Sequence, residues 1–194
     1  YLTITRPWPA MLRGIWGDPE RFRETYWSKF AEVEGGPMYF AGDGAHYDED
    51  GDVWLLGRVD DVMLISGHNI STTEVESALV DHEVVAEAAV VGRSDDRTGQ
   101  AIAAFVVLRG GVQGKDHLIG DLRQHVANKI GPIAKPASIV FTPDLPKTRS
   151  GKIMRRLLRD ISEQRKLGDV TTLANADIVE AIRDGASSGP NADV

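Results

Sequence analysis

Cysteine is absent from the 194 residues, which excludes a disulfide framework, a thiolate nucleophile and a zinc–thiolate centre. No run is long and apolar enough to span a bilayer, and the start lacks the basic-then-apolar pattern of a signal sequence. Positive charge is in deficit. Lys and Arg number 22 against 29 Asp and Glu, a formal net charge of −7, which argues against a nucleic-acid binder working by bulk electrostatics. The five histidines, His46, His68, His82, His117 and His125, show no close metal-ligand pairing, so no metal site is expected in this chain. These exclusions leave a cytoplasmic protein as the default, with no nucleic acid and no membrane among its partners. What is present is a hydrophobic fraction of 42%, enough for an ordinary core.

Tyr1 opens directly into an apolar, proline-punctuated stretch over residues 2–11, which reads as the middle of a fold and suggests a fragment. Residues 21–30 carry Phe22, Tyr26, Trp27 and Phe30 near helical spacing, predicting a brief amphipathic helix. After Gly35-Gly36-Pro37, two strands are expected at residues 38–40 and 53–56, joined through Asp48-Glu49-Asp50-Gly51. From Asp60 the pattern becomes a regular alternation. Strands are expected at residues 62–65, 84–91, 101–108 and 137–141. Ser71 and Thr73 each precede a glutamate by three residues (Glu74, Glu76), which predicts a capping box opening a helix that buries Val75, Ala78 and Leu79. Leu118, Leu122, Val126 and Ile130 form a helical stripe stopped by Gly131-Pro132, and Met154, Leu157, Leu158 and Ile161 mark a last helix. The expected fold is α+β: a small three-stranded sheet with packed helices over residues 60–194, preceded at 1–59 by a β-rich remnant of something larger. Residues from about 186 to 194 are small and polar and are expected to be disordered.

The sharpest chemical feature is Pro146-Lys147-Thr148-Arg149-Ser150-Gly151-Lys152. Lys147, Arg149, Lys152, Arg155, Arg156 and Arg159 follow one another with no acidic residue between them. By charge alone a solvated basic helix face is the simpler reading. Two details favour an anion site instead. Pro146 and Gly151 bracket a loop that presents Lys152, and Lys152 is expected to begin a helix, where free N–H groups attract phosphate oxygens. The stretch is not a Walker A loop, because the earlier glycine and the Ser or Thr after the lysine are missing. Three weaker features accompany it. Gly42-Asp43-Gly44 could place a carboxylate against paired ribose hydroxyls, Arg58 in Gly57-Arg58-Val59-Asp60-Asp61 could hold a phosphate, and Ser66-Gly67-His68-Asn69 could let a thin ligand approach the backbone. Taken singly, each reads first as a turn or a surface ion pair.

Together and in this order the pieces resemble the adenylate-forming superfamily, within it the acyl-CoA synthetases, and most closely the AMP-forming acetyl-CoA synthetases. The matching runs include Met38-Tyr39-Phe40-Ala41-Gly42-Asp43-Gly44, Gly57-Arg58-Val59-Asp60-Asp61-Val62, Ser66-Gly67-His68, Glu74-Val75-Glu76-Ser77-Ala78-Leu79 and residues 145–156, with Leu167-Gly168-Asp169 beyond them. They are spread over nearly the whole chain. The resemblance implies a ligase that activates acetate with ATP to acetyl-adenylate and then transfers the acetyl group to CoA, with Mg2+ accompanying ATP. It implies that Lys152 is catalytic in adenylation, that Asp43, Arg58 and Asn69 meet the nucleotide, that Ser66 and Gly67 line the CoA path, and that Asp60 is a hinge. Where the family often has an arginine after Gly-His, this chain has Asn69, a neutral amide that cannot neutralise phosphate. Lys129 and Lys135 are candidates for the CoA nucleotide. The phosphate-holding loop and the acyl pocket belong to a large N-terminal domain missing here, so the chain is expected to be inactive alone. The resemblance also implies an alternative role: a recognition module acetylated at Lys152 by a Gcn5-related acetyltransferase and restored by a sirtuin-type deacetylase.

Overall fold

The structure is a computed structural model that describes residues 1–168 and 170–188. It divides into two compact units, Tyr1–Asp60 and Asp61–Val194. In the first, aromatic residues do the work of an aliphatic core. Helix α1 (Pro19–Tyr26) starts where the Asp18 carboxylate accepts the Arg21 N–H at 3.0 Å and Pro19 occupies the first turn. Tyr26 stacks on Tyr39, with centroids 5.1 Å apart, while Trp8 and Trp27 meet the same ring edge-on. Tyr39 belongs to the short strand β2 (Tyr39–Phe40), paired with β1 (Thr3–Ile4).

The hairpin of this unit differs from the expected one. Strand β4 (Val53–Arg58) pairs with β3 (Asp43–Tyr47) and not with residues 38–40. Gly42, at φ +91°, turns the chain between β2 and β3, so the segment after it becomes the partner. The loop is organised by Asp48, whose carboxylate accepts the N–H groups of Asp50 (3.1 Å) and Asp52 (2.8 Å) and the Trp54 indole N–H (2.6 Å).

The second unit is α+β with helices on both faces of one sheet. Its strands are β5 (Val62–Ile65), β6 (His68–Ser71), β7 (Val85–Asp95), β8 (Gly99–Leu108) and β9 (Ser138–Phe141). Strand β7 runs antiparallel along β8. The other edge of β8 meets β5 at Gly99 and then β9, in parallel, from Ala103 to Val106. The sheet therefore has five strands where a three-stranded one was expected: all four expected strand segments join it, and β6 is added at one edge, folded back on β5 by a two-residue turn. Strands β7 and β8 are extended at the turn where they meet.

Successive residues of β7 and β8 point to opposite faces. Val90, Ile102, Ala104 and Val106 face α2 (Thr72–Val80) and α3 (Asp116–Lys129), and pack with Val75, Leu79, Leu122 and Val126. Ala89, Val91, Ala103 and Phe105 face α4 (Arg155–Ser162) and α5 (Asp177–Ser188), packing with Leu158, Ile161, Ile178 and Ile182. Helix α5 was not expected. It carries the chain in regular structure through Ser188, into the region expected to be disordered, and residues 189–194 lie outside the described residues. The capping box does not form either. Ser71 sits at the N-cap of α2 without a side-chain bond, and Glu76 is drawn to Val90 and Arg155 instead. Among the described residues no helix is long and apolar enough to cross a membrane.

Candidate functional site

In the first unit, Asp43 and Arg58 are register partners at the ends of β3 and β4. Pairing across a two-stranded ribbon brings their side chains to one place, with Arg58 Nη1 3.8 Å from Asp43 Oδ1. The guanidinium is fixed further by donating to the Ala41 carbonyl (2.6 Å) and from Nε to Asp60 Oδ1 (3.0 Å). Both side chains remain open to solvent, at 33% and 46% exposure. A reachable carboxylate beside a reachable guanidinium can accept hydroxyl donors with one group and bind anionic oxygen with the other.

Gly42 makes this arrangement possible. A Cβ placed on it would lie 2.6 Å from Arg58 Nη2 and 2.8 Å from Cζ, and its φ of +91° disfavours any side chain. The Gly42→Ala substitution is expected to push Arg58 away from Asp43 and to cost more than about 1 kcal/mol, because the backbone is already in a glycine conformation. Chemical denaturation with the Arg58→Ala variant as reference checks it. An unchanged midpoint would rule out the close approach.

In the second unit, Lys152 stands at the tip of a narrow hairpin. Lys147 bridges Ile153, the Met154 N–H donates to the Pro146 carbonyl at 2.8 Å, and the Thr148 N–H donates to the Lys152 carbonyl at 2.8 Å. The turn closes through Gly151, at φ +82°, whose N–H reaches the Thr148 carbonyl at 2.8 Å. Thr148 Oγ1 accepts the Lys152 N–H at 3.1 Å. Lys152 therefore does not begin a helix. Pairing holds the chain extended through Ile153, and α4 starts at Arg155 after Met154. Helix-end N–H groups are thus displaced from the lysine, and what can attract an anion there is its ammonium charge, with the exposed Arg149 guanidinium in the same turn. Residues 151 and 152 are exposed, and no ion pair or hydrogen bond among the described residues engages Lys152 Nζ.

The other cations of the basic run are differently placed. Lys147 Nζ is held by Glu87 Oε2 at 2.8 Å and Asp144 Oδ1 at 3.0 Å. The Glu87 hydrogen bond, with that of Asp144, raises its pKa above the usual lysine value. Burial works to raise the Asp144 pKa, but the Lys147 contact and the Leu145 N–H outweigh it and hold that carboxyl below its ordinary range. Arg155 forms a two-point contact with Glu76, Nη2 to Oε2 at 2.7 Å and Nε to Oε1 at 3.1 Å. Lys147 and Arg155 are thus structural, and the run is not one solvated basic face.

Ser66 and Gly67 form the two-residue turn between β5 and β6, with φ of +48° and +82°, the geometry of a type I′ hairpin. The Ser66 N–H is anchored on the Thr98 carbonyl at 2.9 Å, and nothing lies within 4 Å of a Cβ built on Gly67. Open space over backbone is what a thin ligand requires. Asn69 is exposed on β6, opposite Leu64. Of the two lysines considered for CoA, Lys129 is bound to Asp81 at 2.8 Å, while Lys135 is exposed. The structure thus joins Asp43, Arg58 and Asp60 in one unit, and in the other places Ser66, Gly67 and Asn69 on one hairpin and Lys152 on another.

Comparison with known proteins bears on the family of the chain. Residues 74–152 match the profile of the AMP-binding enzyme C-terminal domain. The chain is 63% identical over 194 residues to an acetyl-coenzyme A synthetase of Streptomyces avermitilis, covering 100% of this chain and 29% of that protein. It is 65% identical over 184 residues to one of Mycolicibacterium smegmatis, covering 94% of this chain and 19% of that protein. The chain thus spans less than a third of the length of either relative. Among solved structures, an anthranilate CoA ligase in complex with anthranoyl-AMP superposes with a TM-score of 0.66 at 33% identity, over 78% of this chain and 28% of that one.

Proposed function

Because the chain belongs to the adenylate-forming superfamily through its AMP-binding C-terminal domain, we propose that it is the C-terminal part of an AMP-forming acetyl-CoA synthetase. In this reading a carboxylate oxygen of acetate attacks the α-phosphorus of ATP, the bond to pyrophosphate breaks, and acetyl-adenylate forms. The CoA sulfur then attacks the acyl carbon and AMP leaves. The observation that carries the reading is the exposure of Lys152 at the tip of a braced hairpin, while Lys147 and Arg155 beside it are committed to carboxylates. A compact ammonium on such a tip can enter the space between acetate and α-phosphate and offset the negative charge that accumulates as the new P–O bond forms.

The remaining residues have supporting roles. Asp43 accepts the ribose hydroxyls and Arg58 donates to the nucleotide. Ser66 and Gly67 offer bare backbone to the CoA thiol arm. Asn69 hydrogen-bonds phosphate without neutralising it, so more of the burden of charge falls on Lys152. Asp60, last residue of the first unit, is the position about which the chain would turn between the two half-reactions. Magnesium would accompany ATP, but no group of three or more His, Asp or Glu side chains among the described residues could hold a metal ion. The phosphate cradle and acyl pocket would come from the remaining length of the relatives, and the chain by itself would not turn over. The exposed tip also favours a second reading, in which an acetyltransferase of the Gcn5-related kind modifies Lys152 and a sirtuin-type deacetylase reverses it. Acetylation would remove the cation on which adenylation depends.

Acetate-dependent exchange of labelled pyrophosphate into ATP tests the first half-reaction in the full-length protein. Exchange that needs acetate and proceeds without CoA is the expected result. Exchange indifferent to acetate would overturn the substrate, and none with any short carboxylate would overturn the reaction.

A further inference from the structure

We infer that Asn175 is a positioning residue for the adenylation step, acting through the root of the hairpin that carries Lys152. The inference rests on the assignment of Lys152 to that step. Asn175 lies just before α5, and its amide engages three groups of one short segment. Oδ1 accepts the Lys147 N–H at 3.1 Å, and Nδ2 donates to the Leu145 carbonyl at 2.8 Å and to Asp144 Oδ2 at 2.9 Å. Both amide hydrogens and one acceptor site are thereby used.

The segment needs such a clamp. Pro146 interrupts it and has no N–H to offer a neighbouring strand, so a regular ladder cannot hold residues 144–147. The side-chain amide supplies both a donor and an acceptor, as a strand partner would. The backbone on either side completes the seam. The Ala174 N–H donates to the Lys147 carbonyl at 2.9 Å, and Leu173 bridges Thr148. The seam also fixes Asp144, which together with Glu87 holds Lys147 Nζ. The rigid part of the hairpin therefore reaches Thr148 and, through the two bonds of that residue, the Lys152 backbone, so that the lysine side chain is what is left to move.

The tip must deliver an ammonium group to a reacting centre, where a displacement of about 1 Å can cost on the order of a hundredfold in rate. Loss of the clamp leaves Lys152 present and charged but poorly aimed. In the full-length protein, Asn175→Ala is expected to slow acetyl-adenylate formation by about ten- to a hundredfold. The reaction of CoA with supplied acetyl-adenylate should stay near the wild-type rate. A second variant, Asn175→Asp, keeps the size and the acceptor for the Lys147 N–H but loses both donors and sets a carboxylate against Asp144. It is expected to show the same split, and it decides the matter if the alanine variant does not fold. Lys152→Ala, run in parallel, separates the role of the lysine from that of its clamp. If that change spares adenylation, the assignment of the lysine is wrong. If it suppresses adenylation while Asn175→Asp retains the wild-type rate, the clamp is not a positioning device. Equal loss of both half-reactions in Asn175→Asp would also overturn the inference, since that is the mark of general damage to the fold.

Discussion

In the full-length protein, replacing Lys152 by alanine is expected to slow formation of the acyl-adenylate by about 10²–10³-fold, the range typical for removing one preorganised charge-stabilising group from a transition state. Attack of CoA on supplied acetyl-adenylate should be unaffected. The asymmetry follows from where charge changes. In the first half-reaction an anionic carboxylate approaches an anionic phosphate, and a cation between them lowers the repulsion. In the second, the CoA sulfur attacks an acyl carbon and not an anionic phosphate, so the repulsion that Lys152 offsets does not arise, and the charge passes from sulfur to the departing AMP. The structural premise is narrow: Lys152 is exposed, its backbone is held by Thr148, and its neighbours Lys147 and Arg155 are engaged by Glu87, Asp144 and Glu76. The other lysine of that hairpin, Lys147, cannot step in, and the exposed Arg149 offers a broad planar guanidinium in place of a compact ammonium. Lys152→Arg keeps the charge but replaces a compact ammonium with a broad planar group, and is expected to recover only part of the rate. Single-turnover measurement of each half-reaction gives the answer. Parallel loss in both would remove Lys152 from its assigned role.

The second large effect concerns stability. Glu76 and Arg155 form an ion pair with side-chain exposures of 12% and 26%, and Glu76 Oε1 also accepts the N–H of Val90 at 2.8 Å. One carboxylate thus joins α2 to β7 and to the start of α4. Burial lowers the Arg155 pKa, and the Glu76 hydrogen bonds and charge raise it more, so the guanidinium stays firmly protonated. Glu76→Ala leaves a half-buried cation without its carboxylate and the Val90 N–H, in a fully buried residue, without an acceptor. The expected loss is about 3–5 kcal/mol, the range for breaking one side of a buried pair. Glu76→Gln, which can still accept from Val90, should lose less. Urea denaturation followed by far-ultraviolet circular dichroism measures both, and a shift under about 0.5 kcal/mol in the alanine variant, the scale of an ordinary surface change, would show the pair to be incidental.

Much of the second unit was legible because its signals are local. The stripe of Leu118, Leu122, Val126 and Ile130, stopped at Gly131-Pro132, corresponds to α3, and the apolar run at residues 101–108 lies within β8. What escaped was settled by distant partners. His68 to Ser71 contains one apolar residue, and the strand exists because Ser66 accepts a positive φ that its side chain disfavours. Lys152 looked like a helix start because Gly151 precedes it and apolar periodicity follows. Pairing of Lys147 with Ile153 moved the helix onward. Glu76 fits a capping box by spacing alone, and only the folded chain shows that Arg155 competes for it. Asn175 and α5 were missed together, although Ile178, Val179 and Ile182 have helical spacing and could have been read as a buried stripe.

The two-sided sheet of the second unit has a consequence for how it is made. One side is sealed by α2 and α3, which precede β9 in the chain. Among the described residues, the other side, with Ala89, Val91, Ala103 and Phe105, is covered by helices and loops between Leu145 and Ala186. As the polypeptide leaves the ribosome, that greasy side stays wet until α4 and α5 have been synthesised. For that interval the nascent unit offers chaperones an apolar sheet surface, and a stop codon placed before α5 would leave part of it bare for good.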